Sequence, residues 1–460
     1  MKNYLPVLLI GLVLVGLIGC GCPTSTPSST PVSQPTSIPV GEPTPIPTEG
    51  SSGGDRTPGF VQSSKARVTS LDIPASDQAE LVGGNSAFAF DLYHLLKEEA
   101  GEENLFYSPH SISLALAMTY AGARGETGQQ MADTLHYTLP QDRLHPAFNH
   151  LDLELASRGE GAEGKDDGGF RLNIANTIWG QEDYTFLPEY LDTLALNYGA
   201  GMQLVDFIGD SEASRIAINN WVSDQTEGRI KDLIPKGVID DLTRLVLTNA
   251  IYFNAAWAEP FQESQTQDGP FYLLDGGQVT VPMMHQTASF GYAEGEGYQA
   301  VELPYDGREL SMVILLPAAG KFESFEDSLD AGRVDAITSD LASERVILTM
   351  PKFEVESSFS LGDALPEMGM PLAFSMDADF SGIDGRRDLY IGAVIHKAFV
   401  SVDEAGTEAA AATIVIMPAM AAPDPEEPIE VTIDRPFIFF IRDIETGAIL
   451  FVGRVVNPSP

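Results

Sequence analysis

The residues of this 460-residue chain that could do chemistry are few and widely separated. Its seven histidines include no pair at metal-ligand spacing, and both cysteines, Cys20 and Cys22, lie near the N-terminus. The signatures G-x-S-x-G, H-E-x-x-H and G-x-x-x-x-G-K-S/T are absent. A nucleophile–base pair built on His396 lacks an oxyanion motif and an orienting acid, so we interpret His396 as a hydrogen-bonding core residue. The sequence predicts no enzyme, metal site or cofactor.

One segment near the C-terminus combines residue types with conflicting local preferences. Residues 398–402 alternate as a half-buried strand does, and Gly406 follows them. Four consecutive alanines at 409–412 favour a helix, whereas the β-branched run at 413–416 favours a strand. A Pro-, Met- and Ala-rich acidic stretch completes the segment at 417–428. This mixture suits a segment that adopts more than one conformation.

The rest of the chain must supply the elements that position this segment. Apolar residues at helical spacing after the cap candidates Asn85 and Ser86 predict an early helix, and residues 111–121 predict a buried one. Later β-rich runs predict strands, at residues 310–316, 346–355, 431–441 and 448–456, of which the last two would form a hairpin. Helices early and strands late indicate an α+β fold with a large sheet, not alternating βαβ units.

Four stretches carry a recognisable combination of residues. They are N-L-F-Y-S-P-H-S-I at 104–112, T-N-A-I-Y-F-N-A-A-W at 248–257, the Glu-Gly-Thr-Ala pattern at 404–412, and V-T-I-D-R-P-F-I-F-F at 431–440. In this order they resemble the serpins, the serine protease inhibitors, over residues 75–460. The resemblance implies the serpin fold: a helical N-terminal part, a large central β-sheet, further sheets and an exposed reactive-centre loop.

The resemblance also implies a suicide mechanism. A protease cleaves the loop and becomes an acyl-enzyme, and the freed loop then inserts as a new strand of the central sheet. The hinge residues implied are Glu404, Gly406, Thr407, Ala409, Ala410, Ala411 and Ala412. Counting by twos from Thr407 gives an inward face of small, uncharged side chains, namely Thr407, Ala409, Ala411 and Thr413. Insertion up to Ile416 would therefore bury no charge and meet no proline.

Two supporting clusters are implied by the same resemblance. Ser108, Ser111, Asn249 and His396 resemble the shutter, a hydrogen-bonded cluster whose rearrangement would let the sheet open. Trp257, Glu404 and Lys352 resemble the breach, where insertion starts. We expect an ion pair between Glu404 and Lys352.

The bond that a target protease would cleave follows from the position of the hinge. Serpins tend to place it seventeen residues into the loop, which gives Met420–Ala421 when counted from Glu404. The segment is several residues longer than in many serpins, so Met417, Ala419 and Ala421 remain alternatives for the residue before the bond. A small or flexible apolar residue there suits elastase-, chymotrypsin- or subtilisin-like proteases. A trypsin-like target would lack its basic anchor.

The N-terminus predicts export and anchoring. An apolar run at 7–18 follows Lys2 and is too short to span a bilayer, as in a signal peptide. The sequence L-I-G-C at 17–20 resembles the lipobox of bacterial lipoproteins, which implies cleavage after residue 19 and lipidation of Cys20. Residues 20–72 are rich in Pro, Ser and Thr and predict an extended, disordered tether, followed by the serpin domain at 73–460. The expected location is extracytoplasmic, on the cell membrane.

The charge balance restricts the partners. Lys and Arg number 26 against 66 Asp and Glu, for a net charge of −40. This argues against nucleic acid, whose binding depends on basic residues, and favours a soluble monomer. The expected partners are serine proteases, in a covalent complex, and the membrane through Cys20. The alternative function is a non-inhibitory serpin that acts as a surface binding or carrier protein.

Overall fold

The computed structural model describes residues 58–162, 170–407 and 427–459. Most of the helical residues in this part of the chain lie in its first half. The helices are α1 Ala75–Ala100, α2 Pro109–Tyr120, α3 Gly125–Thr134, α4 Gln141–Ser157, α5 Pro188–Tyr198, α6 Ser211–Gln225, α7 Phe322–Glu326, α8 Ala331–Ser339, α9 Leu361–Met368 and α10 Ser381–Asp384. None of the helices described is both long and apolar enough to cross a membrane.

Strands predominate after residue 240. Their bounds are β1 Gly59–Val61, β2 Leu105–Tyr107, β3 Arg171–Gln181, β4 Met202–Val205, β5 Leu245–Ala256, β6 Gln267–Tyr272, β7 Gln278–Gly295, β8 Tyr298–Pro304, β9 Leu310–Pro317, β10 Ala342–Pro351, β11 Phe353–Ser360, β12 Ala393–Val402, β13 Gly406–Thr407, β14 Ile429–Thr432, β15 Phe437–Asp443 and β16 Ile449–Val455.

Two sheets organise these strands. The first, here called the central sheet, has the order β1-β4-β3-β5-β13-β12-β11, and β5 also pairs directly with β12. The second has the order β14-β10-β7-β8-β9-β15-β16-β2, with β6 added beside β7. A main core is shared between the sheets and α1 and α2, and a smaller core lies between the central sheet and α6. The predicted α+β class and the predicted hairpin of β15 with β16 are therefore present.

Helix α2 packs against β3 and β5 of the central sheet. All twelve of its residues are buried, so it has no polar face for water. Ser108 begins it as an N-cap, accepting a hydrogen bond from the Ser111 N–H at 3.2 Å, and Pro109 occupies the first helical position. This local sequence fixes where Ser108 and Ser111 lie, which is against the central sheet.

The predicted start of the first helix is wrong. Helix α1 begins at Ala75, and the cap candidates Asn85 and Ser86 lie in its interior. Asn and Ser are common N-cap residues, but the helix here continues through them and through Gly83 and Gly84, although glycine disfavours helix interiors. Gly84 is tolerated because a Cβ there would come within 2.5 Å of the His136 carbonyl oxygen, so the close packing requires glycine.

Two predicted strands are each divided in the structure. The run at 346–355 supplies the end of β10 in the second sheet and the start of β11 in the central sheet, with the break at Lys352. The run at 431–441 divides between β14 and β15 around Arg435–Pro436. Proline at or beside each break removes a ladder donor, which lets the chain change direction.

The predicted tether also ends earlier than residue 72. Residues 59–61 form β1, which pairs antiparallel with β4 at the edge of the central sheet. The chain then crosses α5 and α4, with hydrogen bonds from residues 63, 67 and 68. We call residues 58–68 the N-terminal strap. Its polar composition resembled the tether, but cross-strand pairing and ion pairs hold it on the domain.

Candidate functional site

The hinge enters the central sheet between β5 and β12. Gly406 and Thr407, which form β13, pair with Ala256 and Ala255 of β5, and Thr407 also faces Val402 of β12. Beyond this point β5 and β12 pair directly with each other in parallel, from Tyr252–Phe399 to Val246–Ala393. The central sheet thus contains a two-residue strand between β5 and β12, and beyond it these two strands pair with each other.

Gly406 is needed at this entry for a geometric reason. Its φ of +154° lies in a region that L-residues rarely adopt, and a Cβ there would approach the Ala255 carbonyl oxygen to 2.2 Å. Glycine therefore lets the hinge backbone lie directly against β5. The predicted hinge glycine is placed where only glycine fits.

Glu404, the first of the predicted hinge residues, is held by two side chains. Its carboxylate forms an ion pair with Lys352 at 2.6 Å and accepts a hydrogen bond from the Thr266 hydroxyl at 2.6 Å. Burial alone would raise the pKa of Glu404, but these two hydrogen bonds outweigh it and the pKa lies below its usual value. The expected Glu404–Lys352 ion pair is present, and it fixes the chain where it turns into the sheet.

Trp257 lies next to this turn and is buried, at 3% exposure. Its indole Nε1–H donates to the Asp403 carbonyl at 3.0 Å, and its ring stacks on Tyr305 with centroids 4.7 Å apart. The Tyr305 hydroxyl in turn lies 2.9 Å from the Thr407 hydroxyl. The predicted breach residues Trp257, Lys352 and Glu404 are therefore brought together around the start of the hinge.

The four predicted shutter residues also form one cluster, beneath the place where β5 and β12 are paired. The Ser108 N–H donates to His396 Nε2 at 3.1 Å, so the proton of a neutral His396 ring lies on Nδ1, which donates to Asn249 Oδ1. The Asn249 amide then donates to the Ser111 hydroxyl at 2.7 Å. This chain of hydrogen bonds joins β12, β5 and α2.

The cluster is fully buried, and this controls the charge of His396. Burial lowers the pKa of His396 to about 3, because a charged ring would lose its hydration. His396 is therefore neutral at pH 7. A neutral ring is what the alternating donor and acceptor pattern with Ser108 and Asn249 requires.

Three residues that complete these clusters were missed by sequence reasoning. Asn176 of β3 accepts from Ser111 at 2.9 Å and from Asn249 at 2.6 Å, extending the shutter across a third strand. Tyr305 and Thr266 bind the hinge as described above. All three are single polar residues in β-rich or loop sequence, and nothing in their neighbourhood marks them.

The remaining predicted site residues lie outside the described part of the chain. These are the hinge alanines Ala409, Ala410, Ala411 and Ala412, the scissile pair Met420 and Ala421 with the alternatives Met417 and Ala419, and the lipidation site Cys20. Their roles stay predictions.

Comparison with known proteins agrees with this architecture. The family model for serpins, described as serine protease inhibitors, matches residues 83–458. An uncharacterised serpin-like protein of Thermococcus kodakarensis is 44% identical over 394 residues, covering 85% of this chain and 89% of that protein. Leukocyte elastase inhibitor A of Rattus norvegicus is 42% identical over 389 residues, covering 82% of this chain and 100% of that protein.

A solved structure matches as well. Human thyroxine-binding globulin, in complex with thyroxine, superposes with a TM-score of 0.73 at 30% identity, covering 84% of this chain and 100% of that one. The chain therefore belongs to the serpin family. It is a protease inhibitor and not an enzyme, and the predicted serpin fold is confirmed.

Proposed function

We propose that this protein traps serine proteases by inserting its cleaved loop into the central sheet. The observation that carries the proposal is β13, whose two residues already lie between β5 and β12. After cleavage, the loop would extend β13 and carry the acylated protease with it. Fifteen inserted residues would span roughly 50 Å, which is enough to cross the domain.

The register of β13 supports this extension. Because Thr407 pairs with Ala255, continuing the antiparallel ladder would place Ala409 opposite Phe253 and Ala411 opposite Ile251. Ala255, Phe253 and Ile251 all belong to the main core and are about 1% exposed. Small side chains are the ones that such a packed interior accepts without strain.

The shutter lies on the path of this strand. Thr413 would come opposite Asn249, the residue that links β5 to His396 of β12. Insertion must separate the seven directly paired positions of β5 and β12 and break that hydrogen bond. The inserted strand would form hydrogen-bond ladders with both β5 and β12, in place of the single ladder between them. The additional backbone hydrogen bonds favour the inserted state.

The residues around the expected scissile bond indicate the targets. Met420 is flanked by alanines, and residues 417–428 contain no Arg or Lys. An apolar residue before the bond suits elastase-, chymotrypsin- or subtilisin-like pockets. The similarity to a leukocyte elastase inhibitor over 82% of the chain supports the first of these.

The test is incubation of the protein with pancreatic elastase, chymotrypsin and subtilisin, followed by denaturing electrophoresis. We expect a complex that survives denaturation with at least one of them, because an acyl-enzyme is covalent. Mass spectrometry of the released peptide should place the cleavage at Met420–Ala421. Clean cleavage by all three proteases without any complex would contradict the proposal that the protein traps serine proteases.

A second candidate is a non-inhibitory carrier, which the likeness to thyroxine-binding globulin supports. The identity to that protein is lower than to the elastase inhibitor, and the small residues at 407–413 suit insertion. Clean cleavage without complex, together with saturable binding of a small hydrophobic molecule, would favour the carrier over the inhibitor.

We further propose that the protein is held on the outer face of a cell membrane by a lipid on Cys20. The support is the L-I-G-C sequence at 17–20 and the Pro-rich residues that separate it from the strap. We expect Cys20→Ser to move the protein from the membrane fraction to the soluble extracytoplasmic fraction when it is expressed in a bacterium. Cys22→Ser is the matched control and should stay with the membrane. Retention of both variants would contradict lipidation at Cys20.

A further inference from the structure

A cavity of about 210 Å³ lies where the described part of the chain begins. Pro58 and Gly59, the first residues of the N-terminal strap, form one wall, and residues of β4 and α6 form the others. One water molecule requires only roughly 10–15 Å³. The cavity can therefore accept the end of a polar side chain.

Three carboxylates line this cavity, and its described lining contains no Lys, Arg or His. Glu182 and Asp206 are half-buried, whereas Asp210 is exposed and caps the start of α6. Asp206 is held in place by hydrogen bonds from the Gly209 N–H at 2.8 Å and the Gln181 amide at 3.2 Å. Such a lining favours a cation, and a guanidinium group above all, because it forms charge-assisted hydrogen bonds with carboxylates.

The chain that precedes the strap carries one such group close to the cavity. Arg56 is the only Lys or Arg between Cys20 and Pro58, and it stands two residues before Pro58. An extended chain advances about 3.3 Å per residue, so Arg56 lies within roughly 7 Å of the cavity wall along the chain. Chain connectivity therefore brings this single basic residue to the acidic cavity.

The pairing of β1 with β4 gives the direction in which the chain approaches. Gly59 pairs with Leu204 in an antiparallel ladder, and continuing this ladder would place Thr57 opposite Asp206. Thr57 precedes a proline, which favours an extended backbone. Pro58 itself is tolerated because β1 is an edge strand. Residues 55–57 can thus extend β1 towards the carboxylates.

Strand alternation also decides on which face of the central sheet Arg56 would lie. Leu204, opposite Gly59, packs against the main core, whereas the next residue, Val205, belongs to the smaller core beneath α6. Residues 56 and 58 have the opposite orientation to Gly59 and so share the α6 face. This is the face that carries the α6 wall of the cavity.

We propose that residues 55–57 dock beside β4 and that the Arg56 guanidinium fills the cavity, paired with Glu182 and Asp206. The inference goes beyond protease inhibition and does not depend on loop insertion. Docking fixes the point at which the tether leaves the domain, beside α6 at the edge of the central sheet. It also covers the adjoining edge of β4, which would otherwise be open to pairing with another chain.

The test is hydrogen–deuterium exchange of the full chain, followed by mass spectrometry of peptides that cover residues 59–61. We expect Arg56→Gln to speed exchange of these β1 amides about fivefold, because a partly buried ion pair is lost. A variant with Glu182→Gln and Asp206→Asn should speed exchange equally, and Asn keeps the oxygen that accepts from the Gly209 N–H. Combining all three substitutions should add little, since they act on one interaction.

The matched control combines Arg56→Gln with Ser52→Arg, which keeps the net charge and moves the arginine four residues along the chain. It should exchange as fast as Arg56→Gln alone. Unchanged exchange in Arg56→Gln, or full recovery on adding Ser52→Arg, would overturn the docking proposal. Slower exchange of the unaltered chain on addition of calcium chloride would also overturn it, because the carboxylates would then belong to a divalent cation.

Discussion

Thr407→Arg should convert this inhibitor into a substrate. Thr407 is fully buried between β5 and β12, and its hydroxyl lies 2.9 Å from that of Tyr305. An arginine there would place an unpaired charge in the main core, which costs several kcal/mol. Because β13 is only two residues long, it would leave the sheet instead, and the rest of the domain would stay folded.

The expected consequence is kinetic. In the proposed mechanism, loop insertion competes with hydrolysis of the acyl-enzyme, and a barrier to insertion raised by about 2.7 kcal/mol would slow insertion about a hundredfold. The measurement is the number of inhibitor molecules consumed per protease molecule trapped, with whichever protease forms a complex. For Thr407→Arg, the number of inhibitor molecules consumed per trapped protease should be far higher than for the unaltered protein, because almost every encounter would end in cleavage of the loop.

Glu408→Arg is the matched control for this prediction. It introduces the same charge one residue further along the strand, where strand alternation places the side chain on the opposite face. We expect this variant to inhibit nearly as well as the unaltered protein. Equal inhibition by Thr407→Arg and Glu408→Arg would show that the face of the inserted strand does not matter, contrary to the insertion mechanism.

The sequence predicted elements well where one physical signal dominated. The run at 310–316, apolar except for Ser311, became β9, all of whose residues are buried. The all-buried helix α2 was anticipated to within two residues, because Ser108 and Pro109 mark its start. Elements whose bounds depend on distant contacts were misplaced. One example is α1, which continues through Gly84, where the close His136 carbonyl leaves room only for glycine. Another is β1, whose pairing with β4 has no local signal in the sequence.

The clusters around the hinge were predicted only in part, because their contacts also join residues that are distant in sequence. Glu404 and Lys352 were named together because of a family resemblance, and their ion pair could not be derived from their separation in sequence. Asn176 and Tyr305 remained unnoticed, since a polar residue in a strand has many uses. Their contribution arises only when three strands and a helix bring them within hydrogen-bonding distance of Ser111, Asn249 and Thr407.

Mild acid should destabilise the protein strongly. Burial lowers the pKa of His396 to about 3, and burial with the charge of Arg124 lowers that of His145 to about 4. In the unfolded chain both would titrate near 6.5. Below pH 6.5 the unfolded chain binds protons that the folded chain does not, so the free energy of unfolding falls as pH falls. Each histidine costs about 2 kcal/mol between pH 7 and pH 5.

The contribution of His396 can be separated from that of its hydrogen bonds. His396→Gln should lower the free energy of unfolding at pH 7 but reduce the further loss between pH 7 and pH 5 by about 2 kcal/mol, as measured by urea unfolding. Asn249→Ala removes the acceptor of the His396 Nδ1–H and leaves the histidine in place. It should therefore be less stable at both pH values while keeping the full pH dependence. An unchanged pH dependence in His396→Gln would mean that His396 is already charged, or solvated, in the folded protein. The hydrogen bond of neutral His396 to Asn249 adds to the backbone pairing of β12 with β5, so protonation would act on the same strand pair that the proposed insertion divides.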